Sequence, residues 1–126
     1  MSYSAVAKRT SEVFTPDALL LSTANVRTKK RILITGQNLA RGAVLGTITT
    51  GGKLNLSLSA AVDGSQTPQY ILAEPCNATA ADAECIVFET GEFNSAALIL
   101  GTAHTLATIE QGLRSKGIYF QTIVGA

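Results

Sequence analysis

Hydrophobic residues recur along this chain in short bursts separated by glycine-rich turns. Arg31-Ile32-Leu33-Ile34-Thr35 is a brief apolar run rich in β-branched residues and reads as a buried strand. Gly36-Gln37-Asn38 follows as a turn signal. Residues 42–50 give a second strand, with Val44, Leu45 and Ile48 apolar and with Gly42 and Gly46 marking a bulge or a close approach. After a Gly51-Gly52 turn, Leu54, Leu56 and Leu58 alternate with Asn55, Ser57 and Ser59, so this stretch predicts one dry and one wet face. Asp63-Gly64 marks another turn. Tyr70 to Ala73 and Ile86 to Glu89 read as strands on either side of a connection holding Cys76 and Cys85. Gly91-Glu92 turns the chain again, and Asn94 can cap a short helical turn over Ser95 to Leu98.

The period changes near the end. Leu106, Ile109 and Leu113 fall on one face of a helix, with Thr105 as N-cap and Glu110 and Arg114 spaced i,i+4. Arg114 and Lys116 sit at the negative end of the helix dipole, Gly117 suits the C′ position, and Ile118 to Val124 gives a last strand. The beginning is different. Residues 1–12 are small, polar and charged, without a period. Val13-Phe14-Thr15-Pro16 then brings β-branched and aromatic residues up to a proline that biases Thr15 to an extended backbone. Such a segment either donates a strand to a partner or covers its own core. The pattern therefore predicts a β-rich α+β fold. It is a compact, small β-barrel-like domain over residues 18–126, with one or two short helices and an extended, flexible N-terminal arm over residues 1–17.

At 126 residues and 46% hydrophobic content, the chain suits a packed globular unit. It has no Trp and few other aromatic residues, which disfavours a platform for stacked bases. A net charge of +1 gives no general attraction to nucleic acid or anionic lipid. The charge is divided, however. Residues 1–60 hold eight Lys or Arg against two acids, and residues 61–126 hold two against seven. The densest basic run is Arg27, Lys29, Lys30 and Arg31, which reads either as a solvated strand end or loop or as a contact for an acidic neighbour. No apolar run reaches the length of a membrane span, and Met1 to Thr10 lack the apolar core of a secretion signal. Folding in a cytosol is therefore expected, with Cys76 and Cys85 as thiols; an oxidising environment would let them close a small loop.

Candidate chemistry is sparse. His104, the single histidine, precedes a helix N-cap and has no nucleophile motif beside it; Ser95 and Glu92 are its nearest potential partners in sequence. The acid pairs Asp82/Glu84 and Glu89/Glu92 read as solvent-facing charges rather than an acid/base site. Gly36 to Gly42 lacks the Gly-Lys-Ser/Thr ending of a phosphate loop, and two Cys with one His do not complete a structural zinc site. No catalytic, cofactor-binding or metal-binding residue is assigned, and an enzyme built on His104 remains a minor alternative. So does a small ligand-binding β-barrel, which would need a deep pocket of mixed polar groups.

Several short motifs, taken in order, resemble one family. They are Phe14-Thr15-Pro16-Asp17, Gly36-Gln37-Asn38-Leu39, Arg41-Gly42-Ala43-Val44-Leu45-Gly46, Asp63-Gly64-Ser65-Gln66, Ile71-Leu72-Ala73-Glu74, Gly91-Glu92-Phe93-Asn94 and, after the helix, Gly117-Ile118-Tyr119. Together they are similar to the small head decoration proteins of tailed bacteriophages, the group that includes the lambda head decoration protein. The resemblance implies a non-enzymatic capsid decoration protein without a cofactor. It implies a homotrimer on the outer surface of the expanded head, at local three-fold sites, made in the host bacterial cytoplasm. Its partners would be the major capsid protein and its own copies, with no direct nucleic-acid or membrane contact. It would hold the shell against the pressure of packaged DNA. Under this reading Val13, Phe14, Thr15 and Pro16 form the capsid-binding arm, and Arg27, Lys29, Lys30 and Arg31 make charge-mediated contacts. Another oligomeric virion part, such as a tail or spike base, is the alternative.

Overall fold

The structure is a computed structural model and describes residues 19–22 and 24–121. Its centre is a closed barrel of five strands, β1 (Arg27–Leu33), β3 (Val44–Thr47), β4 (Leu54–Leu56), β5 (Pro68–Leu72) and β7 (Ala83–Asn94). Around the barrel the order is β1-β4-β3-β5-β7, and β7 returns to β1. All neighbours are antiparallel except β1 and β4, which meet in parallel at the single pair Leu33 and Leu54. A sixth strand, β8 (Ile118–Gln121), lies parallel to the last four residues of β7. A separate ribbon pairs β2 (Gln37–Leu39) with β6 (Cys76–Ala78). The single α-helix of the described residues, α1 (Leu106–Arg114), packs against β5 and β8.

The apolar residues form two clusters, one inside the barrel and one outside. Leu33, Ala43, Leu45, Leu54, Leu72, Cys85 and Val87 fill the interior. Ile71, Phe88, Phe93, Ile109, Leu113 and Ile118 pack between the outer face of the barrel and α1. β7 serves both. Val87 faces inward and Phe93 outward although six residues separate them, and unbroken alternation would put them on one face. A register shift opposite Arg27 and Thr28 supplies the extra residue, a β-bulge that turns the rest of the strand over.

That bulge corrects the expected turn at Gly91-Glu92, since β7 runs unbroken to Asn94. A second expected turn, at Gly36-Gln37-Asn38, is partly strand: Gln37 and Asn38 belong to β2. The strand expected over residues 42–50 is regular only over Val44–Thr47. Gly46 has no room for a side chain there, because a Cβ would overlap the Ser65 carbonyl. The Leu54–Ser59 alternation also stops early. Leu54 is buried, but Ser57 is fully buried too, held by its N–H on the Val44 carbonyl at 3.0 Å.

The helix follows its sequence signals closely. Thr105 and Thr108 form a reciprocal capping box, Ile109 and Leu113 are buried, and Glu110 pairs with Arg114 at 3.9 Å. Gly117 takes the left-handed backbone (φ +90°) that releases the chain into β8. Asn94 caps a short 3₁₀ turn over Ser95–Ala97, as its position predicts.

Candidate interaction surfaces

Leu19–Leu21 and β8 flank the end of β7 on opposite sides. Asn94 N–H donates to the Leu19 carbonyl at 2.8 Å, and Leu21 N–H donates to the Glu92 carbonyl at 3.0 Å. The bridge at Leu20 and Phe93 is antiparallel, whereas β8 is parallel to β7. Leu19 and Gln121 are therefore both level with Asn94, on either side of the end of β7. The arm residues Val13, Phe14, Thr15 and Pro16 lie outside the described residues, as do the last residues of the expected final strand, 122–124.

The basic run is not a loop but the exposed beginning of a strand. Residues 27–33 pair with β7 along their whole length as β1. Alternation puts Arg27, Lys29 and Arg31 on the same face as the buried Leu33, and Lys30 on the other. Arg31 lies over the Tyr70 ring, 5.7 Å from its centroid, and one terminal nitrogen donates to the Gly52 carbonyl at 3.0 Å. Lys29 Nζ is 3.6 Å from Glu89. Arg27 helps line a cleft of about 270 Å³ with Gln69, Tyr70, Glu89, Thr90 and Lys116. Lys30 lines a different cleft, where β1 splays from the β3–β4 hairpin, together with Arg31, Ile32, Gly51, Gly52 and Lys53. The sequence showed the density of this charge but not its division between two faces. Period-2 counting back from Leu33 was the signal that could have found it.

His104 is a packing residue. Its Nε2 lies 3.0 Å from the Gln66 carbonyl and 3.2 Å from Ser57 Oγ, and its Nδ1 lies 3.4 Å from Thr108 Oγ1. Ser57 is wholly buried, so a substrate has no path to that hydroxyl. The ring joins the β4–β5 connection to the start of α1. It does not meet Ser95 or Glu92, its nearest candidates in the sequence.

Both thiols are free and buried. Burial, and then the neighbouring Cys76, push the Cys85 thiol up to about 11. Cys76 is also raised by burial, and its S–H donates to the Glu84 carbonyl at 3.4 Å. Of the acids paired in the sequence, Asp82 sits against Lys53 and accepts from the Thr35 N–H at 2.8 Å, while Glu84 is exposed. Asp82 is held below the ordinary carboxylate value by Lys53 first and the Thr35 N–H second. Among the described residues, no three His, Cys, Asp or Glu side chains converge on a metal-sized site. None of their helices is long and apolar enough to cross a membrane.

The barrel interior is filled by aliphatic side chains, and the clefts open on its surface. The arrangement therefore offers surfaces for contact more readily than a chamber for a small molecule. In comparison with known proteins, the family model described as bacteriophage lambda head decoration protein D matches residues 9–118. No curated protein matches the chain.

Proposed function

Because this chain belongs to the bacteriophage lambda head decoration protein family, we propose that it cements the expanded phage head as a trimer at local three-fold sites, gripping the major capsid protein from outside and resisting the pressure of packaged DNA. The single observation that carries this reading is the family match across most of the chain, beginning inside the arm at residue 9. The decoration role on the phage head comes with the family. The trimer, the three-fold site and the stabilising action are the finer proposal, as is the absence of enzymatic activity.

Three features support it. The burial of Ser57 beside the only histidine leaves no evident reactive centre among the described residues. The first and last described residues flank the same end of β7, so segments continuing from both can address one surface. The arm carries Val13 and Phe14 next to Pro16, a composition suited to adding an extended strand to a sheet edge on a capsid subunit.

Ordering an arm is costly, since each fixed backbone loses about 1–2 kcal/mol. Its new hydrogen bonds return only about 0.5–1.5 kcal/mol each. One arm therefore binds weakly. On a trimer the second and third arms bind intramolecularly, and their high effective concentration makes the grip tight only where three matching edges are correctly spaced. Such spacing after expansion would distinguish mature from immature heads.

Deletion of residues 1–16 tests the arm. The truncated protein should keep its circular dichroism spectrum, melting temperature and oligomeric state, while binding to expanded, undecorated heads collapses. Undiminished binding by the truncated protein overturns this role for the arm.

A further inference from the structure

The mouth of the barrel at the Arg27 end is cationic. Arg27, Lys29 and Arg31 come from one face of β1, and Lys116 joins them from the turn before β8. Lys116 Nζ is held by the Pro68 carbonyl at 3.2 Å and the Gly112 carbonyl at 3.4 Å. The acid in this group is Glu89, which faces Lys29. Arg27 has no ion pair among the described residues. Arg31, which lines the neighbouring cleft with Lys30, leaves its Nε buried without an acceptor. With Arg27 exposed and Glu89 already facing Lys29, this cleft holds more positive charge than its own acid offsets.

The opposite end of the same strand pair is acidic. β7 begins there, with Glu84 exposed as its second residue, and Glu74 is exposed just beyond β5. Neither has an ion pair among the described residues. Asp82 lies at this end too, but Lys53 and the Thr35 N–H already satisfy it. The barrel is thus polar along its strands: positive beside Arg27 and Thr90, and beside Ala83 carrying the exposed Glu74 and Glu84, with Arg41 held on the Ala73 carbonyl at 2.7 Å.

We infer that the cleft lined by Arg27, Tyr70 and Lys116 is a carboxylate-binding site, and that its occupant is the acidic end, Glu74 and Glu84, of a second copy of this chain. This goes further than the proposed trimer and rests on it, because it names the two surfaces that meet. The contact is head-to-tail: one patch binds a different patch on the next copy. Contacts of this kind close into rings when the rotation permits. Complementary charge sets the register and weakens with salt, since both patches are partly exposed.

Charge reversal in the full-length protein tests this by sedimentation equilibrium. Arg27→Glu is expected to weaken self-association roughly tenfold, and Glu74→Lys with Glu84→Lys to weaken it to a similar extent. Combining all three reversals in one chain should bring association back towards wild type, because every interface is again complementary. Circular dichroism should show each variant folded, as all three side chains are exposed. Adding NaCl should loosen the wild-type assembly and have the same effect on the triply reversed one. Unchanged association in the separate variants, or failure of the combined variant to recover, overturns the pairing. A wild type that stays monomeric at every concentration overturns this contact. The trimer and the capsid role are read separately, from the amount bound to heads in co-sedimentation.

Discussion

Phe93→Ala removes the largest fully buried side chain among the described residues. Its ring lies 5.2 Å from that of Phe88 and packs into the cluster that joins β7 to α1 and β8. Truncating a buried Phe to Ala costs about 3–5 kcal/mol, which includes the cavity it leaves. Domains of this kind have a total stability of about 5–15 kcal/mol, so a large share of it disappears. At roughly 4 °C per kcal/mol for a chain of this size, the melting temperature should fall by at least about 10 °C. Val62→Ser makes a suitable control, since Val62 is 94% exposed in the connection between β4 and β5. Thermal and urea unfolding of both variants would measure the difference. A second readout is local: amide exchange at Leu21 should quicken, because its N–H bonds to the strand that Phe93 anchors. A fall under about 3 °C, or a fall matched by the control, would refute the claim that this outer cluster holds the termini-bearing end of β7 together.

Other outcomes follow from the same geometry. With Cys85 raised to about 11 and Cys76 raised as well, both thiols stay protonated and covered at neutral pH. They should react with iodoacetamide only after unfolding, and prompt labelling of the native protein would contradict this. Asp82, held below its ordinary value of 3.8, adds stability that is present above that value and is lost as the pH falls through its lowered value. Asp82→Asn keeps an acceptor for the Thr35 N–H but drops the Lys53 ion pair. It should therefore flatten part of the acid limb of stability against pH, and an unaltered limb would show that the pair contributes nothing.

Local signals were legible wherever one short segment decides the outcome. Thr105, Ile109, Leu113 and Gly117 define the helix by spacing and caps, and the structure uses each as expected. The barrel class was also readable, from short strands with frequent turns. What escaped depends on partners distant in sequence. Gln37–Leu39 looks like a turn until Cys76–Ala78 supplies a strand to pair with it. Gly91 looks like a turn because glycine usually breaks strands, yet here it lies in a strand just beyond a bulge, where Phe93 must reach the outer cluster. Ser57 breaks the alternation because His104, far along the chain, comes back to cover it. The basic run was visible as composition, and period-2 counting could separate Lys30 from Arg27, Lys29 and Arg31, but which face meets the barrel interior follows from the register with β7.

Family membership, and the absence of an evident reactive centre among the described residues, support the proposed role of a clip on the outside of a mature shell. Co-sedimentation of the full chain with undecorated heads, before and after expansion, tests that role most directly. The protein should pellet with expanded heads at a saturating ratio in multiples of three per local three-fold site, and leave unexpanded heads bare. Equal binding to both forms, or to neither, would contradict it.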